Sequence, residues 1–162
     1  MGKPGKKKGK DGPAVIENRR ARHDYAIGET LEVGIKLHGS EVKSVRDGNV
    51  SLKEGYVSVD GDPPQLTLRQ VTIGEYPPAG NLQHELARTR RLLAHRTEIR
   101  RLAKRADEKG VTIVPLKLYF SKEGWAKLLI GVGEGRQAHD KRKAIADREM
   151  DREMRRAMSK RM

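Results

Sequence analysis

Between residues 25 and 37 the chain reads YAIGETLEVGIKL, and its bulky apolar side chains keep to alternate positions. Tyr25, Ile27, Leu31, Val33, Ile35 and Leu37 share one parity, with Glu32, Gly34 and Lys36 on the other. Period two over so long a run predicts a half-buried strand with Glu32 outward. Such a strand needs partners, and the chain supplies candidates. EGYVSVDGDPPQLTLRQVTI (54–73) reads as two strands around a turn at Asp60-Gly61-Asp62-Pro63, and VTIVPLKLYF (111–120) with WAKLLIGV (125–132) as a second pair around Lys122-Glu123-Gly124. Pro115 lacks the N–H a central ladder needs, which predicts an edge or a bulge there. GSEVKSVRDGN (39–49) is too broken for a strand and reads as a short helix. Between the two hairpins, Leu86, Leu92, Leu93, Ile99, Leu102, Ala103 and Ala106 fall on a helical stripe, predicting one helix over 85–108. The pattern is mainly β: a small closed OB-like barrel of about six antiparallel strands with one to three flanking helices.

Charge divides the chain into three zones. Of 162 residues, 35 are Lys or Arg and 22 are Asp or Glu, a net charge of +13. Residues 1–13 carry five lysines against one aspartate and are expected to be a disordered arm. Residues 14–135 hold the barrel, and residues 136–162 carry ten basic and five acidic side chains. That tail has high helix propensity, with Ala146, Met150, Met154, Met158 and Met162 recurring every fourth residue. A helix of this kind is marginal alone in water, so its order is expected to come with binding.

So basic a chain calls for a polyanionic partner. A membrane surface asks for bulky apolar residues opposite the cations, and this chain has one Trp and one Phe, neither in a tail. Nucleic acid is therefore the expected ligand. There is no Cys, no apolar leader after the basic N-terminus, and the longest strongly apolar run, LLIGV at 128–132, is too short to span a bilayer. A cytoplasmic protein is expected.

Catalysis finds little support. No nucleophile elbow, HExxH or phosphate loop is present. His139 and Asp140 are neighbours, which on a helix aims them about 100° apart, a poor geometry for an Asp orienting a His. No enzyme activity, cofactor or metal is expected. NRRARHDY (18–25) has two readings: a solvated basic lead-in to the first strand, or an RNA-contacting set of Arg forks with His and Tyr faces. Glu32 likewise could cap neighbouring Arg residues or accept from base amino groups. The eight basic residues against two acidic ones in 85–105 favour a phosphate-facing surface.

NRRARHDYAI, GETLEVGIKLHGSEVKSVRDGNVSL, RTRRLLAHRTEI, KGVTIVPLKLYF and GRQAHDKR, in this order and spacing, resemble the SsrA-binding protein family, also called small protein B. The resemblance runs over roughly 15–150. It implies an RNA-binding protein of trans-translation whose barrel grips the tRNA-like domain of transfer-messenger RNA. It also implies delivery, with elongation factor Tu on the charged RNA, to stalled ribosomes. The tail would fold as a helix in the empty mRNA channel, against small-subunit RNA at the decoding centre. By motif, the RNA-binding residues would be Asn18, Arg19, Arg20, Arg22, His23, Tyr25, Glu32, Glu41, Lys43, Arg46 and Leu93. The tail's ribosome contacts would be His139, Asp140, Lys141 and Arg142, with His139 a stacking probe. Two departures stand out: GEGRQA precedes HDKR where many members are Lys-rich, and Glu85-Leu86 replaces the usual Asp-Pro, from which an earlier helix start is expected. The alternative is a general OB-type RNA-binding or ribosomal protein making nonspecific phosphate contacts.

Overall fold

A computed structural model describes residues 12–136 and 138–160, apart from the side chains of 138–141. The expected basic arm lies almost wholly outside the described residues. In chain order the elements are β1 (Ile16–Glu17), α1 (Arg19–Asp24), β2 (Tyr25–Ile35), α2 (Gly39–Arg46), β3 (Val50–Ser51), β4 (Tyr56–Asp60), β5 (Gln65–Arg69), β6 (Thr72–Ile73), β7 (Arg90–Leu93), α3 (Arg96–Ala106), β8 (Val111–Phe120), β9 (Ala126–Gly135) and α4 (Ala138–Lys160). A 3₁₀ turn spans Pro77–Leu82. Six strands close a ring in the order β8-β4-β5-β7-β2-β9 and back to β8, every pair antiparallel. β1 adds to the outside of β8, and β3 pairs with β6 as a separate ribbon. The expected barrel is thus present. Its interior is filled by Val33, Ile35, Leu66, Leu68, Leu92, Ile113, Leu118, Leu128 and Ile130, all buried, with Leu102 from α3 joining them.

Two irregularities shape the ring. The register of β8 against β9 shifts between Pro115 and Lys117, so Ile113 and Leu118, an odd number of residues apart, both reach the core. Pro115 is therefore at a bulge, as expected. A second shift, between Ile27 and Thr30 of β2, divides the apolar stripe that the alternation placed on one face. Leu31, Val33 and Ile35 belong to the main core, whereas Tyr25 and Ile27 join Ala21, Val114 and Leu116 in a second cluster under α1. The one-face reading of 25–37 is corrected accordingly: a bulge reverses the parity that the sequence alone keeps constant.

The helix expected over 85–108 is also corrected. Only Arg96–Ala106 is helical, entered where the Glu98 carboxylate accepts the His95 backbone N–H at 3.0 Å. Arg90–Leu93 is a strand, buried at Arg90 and Leu92 and exposed at Arg91 and Leu93. It closes the barrel by pairing Leu68 with Arg90 on one side and Ile35 with Leu92 on the other. Tertiary pairing overrides local helix propensity here. Consequently Leu93 leaves the core, and Arg90 leaves the phosphate-facing set.

Arg90 is fully buried because Glu41 of α2 is fully buried beside it. Its Nε donates to Glu41 Oε1 at 2.9 Å, its Nη1 to the Val71 carbonyl at 2.8 Å and its Nη2 to the Leu86 carbonyl at 3.2 Å. Arg88 adds two bonds to the same carboxylate, at 3.1 and 2.9 Å, and the His38 backbone N–H a third at 2.8 Å. Burial by itself would raise the Glu41 carboxyl's pKa. The hydrogen bonds from Arg88 and His38, with the charge and hydrogen bond of Arg90, outweigh burial and hold it at about 2 against an ordinary 4.5.

Removing one partner leaves the other charge buried and unpaired, so Glu41→Ala should cost roughly 3–5 kcal/mol in denaturant unfolding. A double Glu41→Leu, Arg90→Met replacement should cost much less, because it leaves no buried charge. The depressed carboxyl also fixes an acid limit. Its stabilisation, about 3 kcal/mol, is fully present above the unfolded value of 4.5 and lost as pH falls to about 2. In Glu41→Gln that dependence should vanish from stability measured between those two pH values.

Candidate nucleic-acid interface

α1 owes its position to Asn18. This buried side chain caps the helix, its Oδ1 accepting from the Ala21 N–H at 3.1 Å. Its Nδ2 donates to the carbonyls of Leu52, at 3.0 Å, and Pro115, at 2.8 Å, while its own N–H reaches the Leu116 carbonyl at 2.8 Å. Ala21 turns inward against Val114 and Leu116, which leaves Arg19, Arg20 and Arg22 exposed on the outer side. Arg20 is shared between Asp24 and Glu54, while Arg19 and Arg22 make no ion pair among the described residues. His23, half-buried, lies with Nδ1 2.9 Å from Asp24 Oδ1. Tyr25 begins β2 half-buried; a Cβ at Gly133 would stand 2.8 Å from the Tyr25 Cβ, so the glycine makes room for the ring to lie against β9. The lead-in to the first strand is thus an ordered helix, a form the sequence did not announce.

A second group gathers on the outer face of β7, β2, β9 and β8. Leu93, 53% exposed, pairs with Gly34, Gly34 with Lys127, and Lys127 with Tyr119. Glu32, exposed and outward as expected, lies two residues from Gly34 and accepts the Tyr119 hydroxyl. Lys117 Nζ stands 5.6 Å from the Tyr119 ring centroid. Burial, then the hydrogen bond and charge of Glu32, push the Tyr119 hydroxyl up to about 12. Glu32 and Leu93, 61 positions apart in sequence, are therefore neighbours across a strand pair. Tyr119, Lys117 and Lys127 were missed; their one signal in sequence is the outward parity they share with Glu32. Trp125, 70% exposed just before β9 begins, adds an open aromatic face.

The third group is on α2. Lys43 and Arg46 are exposed, with the Arg46 guanidinium 5.5 Å from the Phe120 ring centroid. Glu41 sits on the opposite, buried side, so it acts on this surface only by holding α2, Arg88 and Arg90. α4 reaches back to the first group, where Arg148 Nη2 donates to the Arg22 carbonyl at 3.2 Å. Arg142 is exposed on α4, whereas the side chains of His139, Asp140 and Lys141 lie outside the described set. Met150, Met154 and Met158 of the four-residue repeat are all more than half exposed.

Cationic forks, aromatic faces and a carboxylate on a rigid barrel surface are the groups that read phosphate and base edges in folded RNA. Among the described residues no cluster of metal-ligating side chains occurs, and no helix is long and apolar enough to cross a membrane.

Comparison with known proteins agrees in extent and detail. The SmpB protein family profile matches residues 15–160. An SsrA-binding protein of Lactobacillus helveticus is 48% identical over 150 residues, covering 93% of this chain and 97% of its own length. Another, from Anaeromyxobacter sp., is 46% identical over 155 residues, with 95% and 92% covered. A chain in a solved structure described as "tmRNA-SmpB: a journey to the center of the bacterial ribosome" is 42% identical, with a TM-score of 0.67, covering 81% of this chain and 94% of that one. A shared barrel, and sequence identity of this level along almost the whole length, leave one conclusion: the chain belongs to the SmpB, or SsrA-binding protein, family.

Proposed function

We propose that this protein binds the tRNA-like domain of transfer-messenger RNA and carries it to stalled ribosomes, where α4 enters the vacant mRNA channel and permits peptide tagging. Family membership over residues 15–160 is the observation that carries this reading. The relatives are SsrA-binding proteins by name, and the similar solved chain comes from a study of tmRNA-SmpB and the bacterial ribosome. The barrel supplies the RNA grip. Arg19, Arg20, Arg22, Lys43 and Arg46 offer charge to phosphates; His23 and Tyr25 offer rings; Glu32 and Leu93 offer an acceptor and an apolar contact. Asn18 and Glu41 serve from beneath, fixing α1 and α2. Elongation factor Tu takes part indirectly, through the charged RNA.

α4 spans 23 residues, about 35 Å at 1.5 Å per residue, enough to extend well beyond the barrel. A channel filled by mRNA excludes it sterically, so selection of stalled ribosomes needs no sequence reading. His139, Asp140, Lys141 and Arg142, at its start, would meet small-subunit RNA at the decoding centre.

Three outcomes are expected. In competition binding, transfer-messenger RNA should keep its advantage over bulk tRNA as salt rises, because shape and base contacts survive screening; a uniform log–log loss for both would indicate nonspecific phosphate binding. Glu32→Ala should weaken RNA binding by roughly fivefold or more while leaving the melting temperature within a degree or two, since the carboxylate is exposed. Truncation after Gly135 should keep RNA affinity and abolish tagging in a stalled-ribosome assay, and His139→Ala should do the same. A truncated form that still tags would overturn the division between barrel and tail.

A further inference from the structure

A cavity of about 310 Å³ opens between α1, β4 and β8, apart from the strand face that carries Glu32 and Leu93. Its walls are mixed in an informative way. Tyr25 and Tyr56, both half-buried, contribute aromatic surface, and Gln70 contributes an amide. Asp24 and Glu54 carry two negative charges to it, and Arg20 and Lys53 two positive ones. Four charges that cancel make a poor phosphate trap, since phosphate binding depends on uncompensated cations. They do make a surface dense in both donors and acceptors. That combination of two tyrosines, an amide and carboxylates held by Arg20 suits a neutral, planar, polar group.

Gln70 strengthens this reading. It is the one non-glycine residue with positive φ among the described residues, at +56°. Gln gains nothing from that conformation, which costs an ordinary side chain about 1–3 kcal/mol. The kink lies between β5 and β6. It places Val71 in the core, where its carbonyl takes the Arg90 bond, and leaves Gln70 on the cavity wall. Glycine would permit the same kink without strain. Packing thus accounts for the kink itself, and the exposed Gln70 sets an amide at the cavity's mouth.

We propose that this cavity receives a single unstacked nucleobase, with Tyr25 and Tyr56 as its aromatic contacts and Gln70 and Glu54 reading its edge. A carboxylate accepts from exocyclic amino groups, so adenine, guanine and cytosine should be favoured over uracil, which has none. The sugar and phosphate stay outside, beside the exposed Lys53 at the cavity's rim. The base comes either from RNA or from a free nucleotide. The RNA source rests on the function proposed above; the cavity's chemistry does not.

The test uses the full-length protein and two ligand sets. In NMR titration with CMP and UMP, CMP should shift the ring resonances of Tyr25 and Tyr56 and bind at least fivefold tighter than UMP. Equal binding of the two, or no shift at either tyrosine, would overturn the proposal. Gln70→Gly separates site from scaffold: by relieving the strained backbone it should raise the melting temperature, yet weaken CMP binding roughly fivefold or more. A variant that is more stable and binds CMP as before would refute the amide's part and with it the site. Affinity of the same variant for transfer-messenger RNA then identifies the source: a parallel loss supports an RNA base, and unchanged affinity beside lost CMP binding supports a free nucleotide. Should transfer-messenger RNA show no preference over bulk tRNA while CMP still binds at the tyrosines, the trans-translation reading fails and the cavity stands.

Discussion

The Glu41–Arg90 pair is the constraint around which the rest of this molecule is arranged. Two opposite charges, both withdrawn completely from water, hold α2 against a four-residue strand and leave no lone pair of the carboxylate without a neighbour. A bond of this kind adds little stability over a well-packed apolar pair, but tolerates few alternatives in position. It fixes where β7 lies, and β7 closes the ring. Once the ring is closed, the outward residues of β2, β7, β8 and β9 share one face, and α2 presents Lys43 and Arg46 beside Phe120. The surface groups are consequences of an ion pair buried beneath them.

Asn18 does for α1 what Glu41 does for α2. In both cases a polar residue within a basic or mixed motif spends its hydrogen bonds inward, and its charged neighbours are displayed as a result. The motifs NRRARHDY and GSEVKS thus combine two kinds of residue: those that can meet a partner, and those that hold them in place. Burial separates the two kinds, and sequence spacing does not.

This explains which features were legible beforehand. The strands of the two hairpins and the short helix at 39–46 follow from local alternation and turn chemistry, and they stand where expected. The helix over 85–108 failed in its first half because RTRRLL has no alternation to mark a strand, its inward pair being Arg90 and Leu92, and only the open seam between β5 and β2 makes it one. The resemblance implies Glu41 as an RNA-binding residue, and nothing local says that Arg88 and Arg90, nearly fifty positions away, will fold over it. The uniform parity of 25–37 hid a bulge, since a register shift leaves no mark in hydrophobic pattern. Glu32 and Leu93 were each identified by resemblance, but their adjacency is a property of the closed ring.

The ring is joined unevenly. β8 and β9 run alongside each other for nine paired residues, while β7 is tied to each neighbour by only two. Leu93 and Glu32 stand on either side of one of those thin joints. An RNA lying across both, as proposed, would act as a brace over a seam held by two pairs, so that gripping the ligand and keeping the cylinder shut become a single equilibrium.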